Sequence, residues 1–310
     1  MNYIIFDLEW NQPFSPEGAV TEPFYLSGEI IQIGAVKLDS SFEVIDELRL
    51  YIRPTYYQKL HRQISALTHL RDKDLANAPY FPQAFEQFRQ WCGEEYAYMT
   101  WSMSDMPVLI DNMLLHGINC SQLPDCYDIQ RIFGREILRS SNRCSLDHAL
   151  EILSLQGEKA HDALHDAKNT AKVCTYLDLE QYLEEYRAPA FALSPCTIAY
   201  PSIHAALQDD ERKTFPCPYC GATITCEAWV ALDGHTYINY GYCPEEEDEF
   251  LLQICFHKDH RGQYYAHPLF YGMSDDLWEI YQDRLHPQSS KVRECSLAKT
   301  QLHRFHSEPS

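Results

Sequence analysis

The sequence predicts a mixed α/β domain followed by a small β-rich module, on three observations. Three strand-like segments rich in Ile, Val and Tyr come first. Helical and strand patterns then alternate up to about residue 185. After a proline-bearing stretch the chain changes character around the run Cys217-Pro-Tyr-Cys220-Gly. Strands that precede an alternation of helices and strands are the signature of a mixed sheet with helices against it.

The first segment, residues 3–10 (YIIFDLEW), reads as a buried strand; 29–38 and 43–53 read as the second and third, bounded by Ser, Gly and Pro. Their short connections predict neighbouring pairing. Residues 82–92 are amphipathic and begin with Pro82, which suits the first turn of a helix. A strand over 96–101, a helix over 105–116, a short strand near 125–129, and helices near 145–153 and 161–185 complete this unit, which spans 1–186. Residues 187–214, with Pro189, Pro195 and Pro201, read as a linker. Residues 215–273 carry the cysteine motif and alternating strand-like segments, and 274–310 read as a C-terminal helix and polar tail.

Composition narrows the function classes. Forty-five per cent hydrophobic residues mark a globular chain. A net charge of −20 argues against non-specific coating of duplex nucleic acid; an enzyme acting on nucleic acid would need cations to screen its own carboxylates. The N-terminus has acids within its first ten residues and no basic region of the secretory kind, and no apolar run is long enough for a membrane span. A cytoplasmic, reduced protein without membrane contact is expected, with its 12 Cys serving as core residues or metal ligands.

Asp7 and Glu9 lie two apart in the first strand, so their side chains share a face. Two carboxylates side by side on a buried strand repel one another and cost desolvation, which divalent cations relieve. An ordinary edge strand with a solvated polar face is the bland alternative. Asp105 follows the strand-like YAYMTW and the turn Ser102 to Ser104, where it could equally cap a helix. In His161-Asp-Ala-Leu-His-Asp166-Ala, a helix would set Asp166 on a stripe with Ala163, Asn169 and Thr170. His161 falls on another face and is expected in the loop leading into that helix. Asp162 and His165 read as exposed helix surface.

Three of these segments together resemble a known family. FDLEW (6–10), TWSMSDMPVL around Asp105 and HDALHDA (161–167) are similar to the three exonuclease motifs of the DEDDh superfamily, whose members include ribonuclease T, the proofreading ε subunit of DNA polymerase III and the enhanced-RNA-interference and KapD types. ISALTHLRDKDLANAPYF (64–81) resembles the stretch between the first two motifs, and the resemblance covers roughly 1–185. It implies a ribonuclease H-like fold, two Mg²⁺ or Mn²⁺ ions held by Asp7, Glu9, Asp105 and Asp166, and His161 as the general base for the attacking water. The chemistry agrees independently, since hard cations prefer carboxylate oxygens and a neutral imidazole accepts a proton near pH 7.

For substrate contacts, Arg131, Arg135, Arg139 and Arg143 recur at a spacing of four and suggest a phosphate track on one helical face, or a merely solvated one. Trp10 is placed either to stack a terminal base or to pack in the core. Cys217 and Cys220 form a knuckle suited to Zn²⁺, with Cys243 in a second knuckle; Glu246 stands where a regular ribbon has its fourth Cys, leaving Glu246, Cys255, His257, His260 and Cys226 as candidates. The expected function is 3′→5′ hydrolysis of single-stranded RNA or DNA with a free 3′ end. Its rivals are a non-catalytic binding module, with a protein partner on the C-terminal domain, and a proofreading subunit of a polymerase assembly.

Overall fold

The computed structural model describes residues 1–286, apart from 16–17, 23–24, 121–122, 141–142, 184–186, 189–198, 210–213 and 259–261. The first half builds a six-stranded sheet. Its strands are β1 (Asn2–Asn11), β2 (Glu29–Leu38), β3 (Val44–Tyr51), β4 (Tyr96–Thr100), β5 (Cys126–Asp128) and β6 (Arg187–Ala188), in the order β3-β2-β1-β4-β5-β6. β2 pairs antiparallel with β1 and with β3, and β4 runs parallel to both β1 and β5. This is the ribonuclease H-like arrangement that the motifs implied.

Alternation along β1 divides the core. Ile4, Phe6 and Leu8 face one layer, where they meet α3 (Phe81–Cys92) and α4 (Asp105–Leu115). Ile5 faces the other with Val36, above α5 (Ile129–Phe133), α6 (Leu146–Ile152) and α7 (Ala163–Cys174). Pro82 sits in the first turn of α3, where its missing N–H has no intrahelical partner to lose. Short helices α1 (Arg62–Thr68) and α2 (Asp72–Leu75) make a side cluster through Ile64 and Leu75. The helix expected over 161–185 is two: α7 ends at Cys174, and Asp178 caps a new one, α8 (Leu179–Tyr182), by accepting the N–H of Gln181.

A second, seven-stranded antiparallel sheet follows. It contains β7 (Ala199–Tyr200), β8 (Thr214–Pro216), β9 (Thr223–Cys226), β10 (Val230–Ala231), β11 (Thr236–Cys243), β12 (Asp248–Lys258) and β13 (Tyr264–Gly272), with α9 (Ile203–Gln208) near its edge and α10 (Asp275–Leu285) packed on it through Leu277, Ile280 and Tyr281. The stretch 187–214, read as a linker, therefore contributes β6 to one sheet and β7 and β8's first residue to the other. Among the described residues no helix is long and apolar enough to cross a membrane.

Candidate active site

β1 delivers Asp7 and Glu9 to the α7 face of the sheet, one residue apart from the apolar positions that hold the strand in the core. Across the ladder, Asp7 stands opposite Gly34 and Glu9 opposite Gln32. Gly34 is required there: a Cβ would run into the backbone of Ala163 and Leu164, so only glycine lets the first turn of α7 lie on the strand. That turn brings Asp166 over the pair, and oxygens of Asp7, Glu9 and Asp166 all lie within 4.8 Å of one another.

Asp105 is the first residue of α4, with Ser104 at the cap position. It is not a cap itself. Its Oδ1 accepts the backbone N–H of Leu8 at 3.1 Å, which ties α4 to β1 between the two acidic positions. His161 precedes the Asp162 cap of α7 and has φ +65°, a left-handed conformation uncommon for a side chain of its size. Its backbone N–H donates to Asp166 Oδ2 at 2.9 Å. The histidine thus lies in the turn before the helix, and the turn is tied to the carboxylate it accompanies. Asp162 and His165 are not bare helix surface. Asp162 caps α7 and pairs with Arg49 at 2.6 Å, and the half-buried His165 ring meets the Lys159 carbonyl at 3.1 Å.

The electrostatics of this cluster are unbalanced. Asp7 is 6% exposed and Glu9 fully buried, and among the described residues Asp7 Oδ2 and both Glu9 carboxylate oxygens find no hydrogen-bond partner. Burial pushes the Asp7 carboxyl well above the usual range, and the nearby charges of Asp105, Asp166 and Glu9 push it further. Glu9 is raised likewise by burial and then by Asp166 and Asp105. Burial lifts Asp105 to about 7 against the opposing hydrogen bond from Leu8, and lifts Asp166 to about 6 against the N–H and charge of His161. Orphaned buried acids of one sign are costly in isolation; divalent cations bound by oxygen would satisfy them. The residues present fit such ions. Trp10 follows at a register shift in β1, half-buried and packed over Gly28.

The family model described as RNase_T, exonuclease, matches residues 4–174, the segment that carries all five of these residues. The chain belongs to this exonuclease family. Among curated proteins, the DNA polymerase III PolC-type of Staphylococcus haemolyticus (strain JCSC1435) is 23% identical over 185 residues, 59% of this chain and 12% of that protein. The Staphylococcus aureus (strain MW2) counterpart is 22% identical with the same coverage. The exonuclease chain thus spans only a small part of the length of these relatives. Among solved structures, the nuclease domain of 3'hExo, a DEDDh family member, bound to rAMP, is 23% identical with a TM-score of 0.48, covering 58% of this chain and 92% of its own. Cell-death related nuclease 4 (CRN-4) is 21% identical with a TM-score of 0.48, covering 72% and 80%.

The arginines of this exonuclease do not form a phosphate track. α5 runs on into a π-helical turn at Gly134–Leu138 and stops at Arg139, whose φ is +53°, so the spacing of four never lies along one helical face. Arg131 is fully buried and Arg143 is 8% exposed. Both reach into the C-terminal sheet, where Asp248 at the start of β12 collects Arg131 at 2.5 Å, Arg135 at 2.6 Å and Arg143 at 3.4 Å. Arg131 also pairs with Glu246 at 2.7 Å. Burial alone would lower the Arg131 pKa; Asp248, Tyr219 and Glu246 outweigh it and raise it. Tyr219, from the cysteine knuckle, completes the junction: its hydroxyl donates to Asp128 at 2.6 Å and its ring lies 4.1 Å under the Arg131 guanidinium. Arg139 alone of the four is exposed.

Cys217, Cys220 and Cys243 come together with their sulfurs within 4.8 Å of one another, Cys220 and Cys243 at 3.6 Å. Gly221 has φ +74° and Glu247 φ +50°, so both knuckles turn the same way. Glu246 occupies the place of a fourth ligand but is turned to Arg131 instead. Cys226 is outside the cluster, its thiol 3.8 Å from the Ile224 carbonyl. In the β11–β12 ladder Cys243 faces Asp248 while Cys255 faces Thr236. Cys255 comes seven positions after Asp248 along β12, roughly 23 Å of strand, so its backbone and that of the still more distant His257 stand well away from the three sulfurs. His260 lies outside the described residues. Burial raises the Cys217 thiol pKa strongly, and its two neighbouring sulfurs add to this. A thiophilic cation would reverse that cost, so the three cysteines fit Zn²⁺.

Proposed function

We propose that this exonuclease hydrolyses the 3′-terminal phosphodiester of single-stranded RNA or DNA, releasing nucleoside 5′-monophosphates. The observation that carries the reading is the set of buried carboxylate oxygens on Asp7 and Glu9 without a hydrogen-bond partner among the described residues, with Asp166 within 4.8 Å and the charge of Asp105 acting on both. Asp7, Glu9, Asp105 and Asp166 would hold two Mg²⁺ or Mn²⁺ ions. When bound, such a pair stabilises the attacking and leaving oxygens of an in-line displacement.

The chain's own groups do the rest. Leu8 holds Asp105 at one side of the pair through its N–H, and the His161 N–H holds Asp166 at the other. The His161 imidazole, on its turn before α7, accepts the proton of the attacking water. Trp10 supplies a half-buried aromatic edge next to Glu9 against which a terminal base can stack. Cys217, Cys220 and Cys243 would hold Zn²⁺, which would brace the knuckle that carries Tyr219.

The reading is tested with 3′-free and 3′-blocked single-stranded oligonucleotides in Mn²⁺, wild type beside His161→Ala. Stepwise loss from free 3′ ends, abolished by the substitution, is expected. Equal cutting of blocked or circular substrates would overturn it. Metal analysis of the purified protein should find one zinc per chain, absent from Cys217→Ser; retention of zinc by that variant would contradict the assignment.

A further inference from the structure

The turn that carries His161 is gripped from the sheet by residues outside the exonuclease motifs. On β2, Gln32 is 1% exposed and stands directly opposite Glu9 in the ladder. Its amide spans the start of α7: Nε2 donates to Asp162 Oδ2 at 3.3 Å, and Oε1 accepts the N–H of Ala163 at 3.4 Å. One row along, Asp7, Gly34 and Arg49 are cross-strand neighbours on β1, β2 and β3. Gly34 leaves the space that the Ala163–Leu164 backbone fills. Arg49 reaches past it to Asp162 Oδ1 at 2.6 Å.

Asp162 is thereby held at both oxygens while its side chain also accepts the His165 N–H at 3.3 Å. It is the residue immediately after His161. The positive φ of His161 is a conformation that its surroundings must enforce, because a free chain favours φ below zero for a histidine. The grip on Asp162 and Ala163 fixes the backbone on one side of His161, and the bond from its own N–H to Asp166 fixes it on the other.

We propose that Gln32 and Arg49 are positioning residues for the reaction: they hold the His161 turn, and with it Asp166, in register with Asp7 and Glu9. The proposal rests on His161 acting as the general base. The same two rows of the sheet that present the acids also anchor the helix that closes over them, so the cluster is set by β-ladder register. Arg49 cannot be exchanged freely, since its planar guanidinium spans from β3 to Asp162.

The experiment compares wild type, Gln32→Met, Arg49→Ala, Arg49→Lys and His161→Ala. Each is assayed for kcat and KM on a 3′-free oligonucleotide in Mn²⁺ and for amide hydrogen exchange in the peptide around residues 158–166. Gln32→Met keeps length and burial while removing both hydrogen bonds. It should lower kcat by about tenfold to a hundredfold and leave KM within about twofold, as expected when a reacting group is displaced and binding is not. Exchange at the His161 turn should quicken by about tenfold in the same variant. Arg49→Ala, at a half-exposed position that folding tolerates, should show the same pattern more weakly, with partial recovery in Arg49→Lys. Wild-type kcat and wild-type exchange in both Gln32→Met and Arg49→Ala would overturn the proposal. If the wild type itself degrades no oligonucleotide, the functional reading falls, and the exchange data decide the clamp alone: unchanged protection at residues 158–166 refutes it, and lost protection upholds it.

Discussion

At the carboxylate cluster, Asp7, Glu9, Asp105 and Asp166 are buried together, and oxygens on two of them have no hydrogen-bond partner among the described residues. At the domain junction, Arg131, Arg143, Asp128 and Asp248 are buried as deeply, yet Asp248 is bonded to three arginines and Asp128 to Tyr219. The first arrangement leaves charge of one sign unanswered within the protein. The second answers it internally. Unanswered buried charge is costly and makes sense where a cation arrives to meet it; matched buried charge fixes how two parts of a chain sit together. Under the proposed function the exonuclease chemistry belongs to the first, and the docking of the C-terminal sheet rests on the second.

Substitution of one acid from each cluster should have opposite consequences. Asp7→Ala should lower nuclease activity by about a thousandfold or more, while the metal-free protein melts no lower than wild type, because a repelled carboxylate has been removed. A clear drop in the metal-free melting temperature would mean that the acids are held by internal partners after all. Asp248→Ala should do the opposite. It removes the carboxylate shared by the buried Arg131 and Arg143 guanidinium groups, leaves Arg131 with Glu246 alone, and should cost about 3–5 kcal/mol in denaturant unfolding. An effect below about 1 kcal/mol would show that the junction is solvated.

The pH response should separate the clusters more gently. Asp105 and Asp166 have folded-state pKa values raised to about 7 and about 6, so the folded protein binds more protons than the unfolded chain between the ordinary carboxylate range and those values. Metal-free stability is therefore greatest below pH 4 as far as these groups are concerned, and is lost as pH rises through about 6 to 7. Thermal melts over that window should show the decline in EDTA and its reversal in Mn²⁺. A metal-free melting temperature that climbs steadily from pH 5 to 7.5 would contradict the assigned directions.

What the sequence made legible follows from range. Asp7 and Glu9 could be read because a strand's period of two puts them on one face, and the HDALHDA run could be read because a helix turn is local. The arginines mislead for the same reason in reverse. A spacing of four suggests one helical face, but the π-turn at Gly134–Leu138 breaks it, and the pairing with Asp248 is more than a hundred residues away in sequence. Gln32 and Asp162 are 130 residues apart and carry no local pattern. From sequence Asp162 reads as surface, because a polar residue in the first turn of a helix looks solvated until its cap role and its partners are seen. The fourth zinc position is narrowed only in three dimensions: Glu246 turns to Arg131, Cys226 lies outside the sulfur cluster, and strand register places Cys255 at the far end of the ladder.

Under the proposed function the acids on β1, α4 and α7 are built for divalent cations. A calorimetric titration of Mn²⁺ into metal-free protein at pH 7, in two buffers of different ionisation enthalpy, tests it most directly. Binding to two sites is predicted, with proton release from carboxyls held partly protonated, and with both sites weakened or lost in Asp7→Ala. Failure to bind Mn²⁺, or binding identical in Asp7→Ala, would contradict the account.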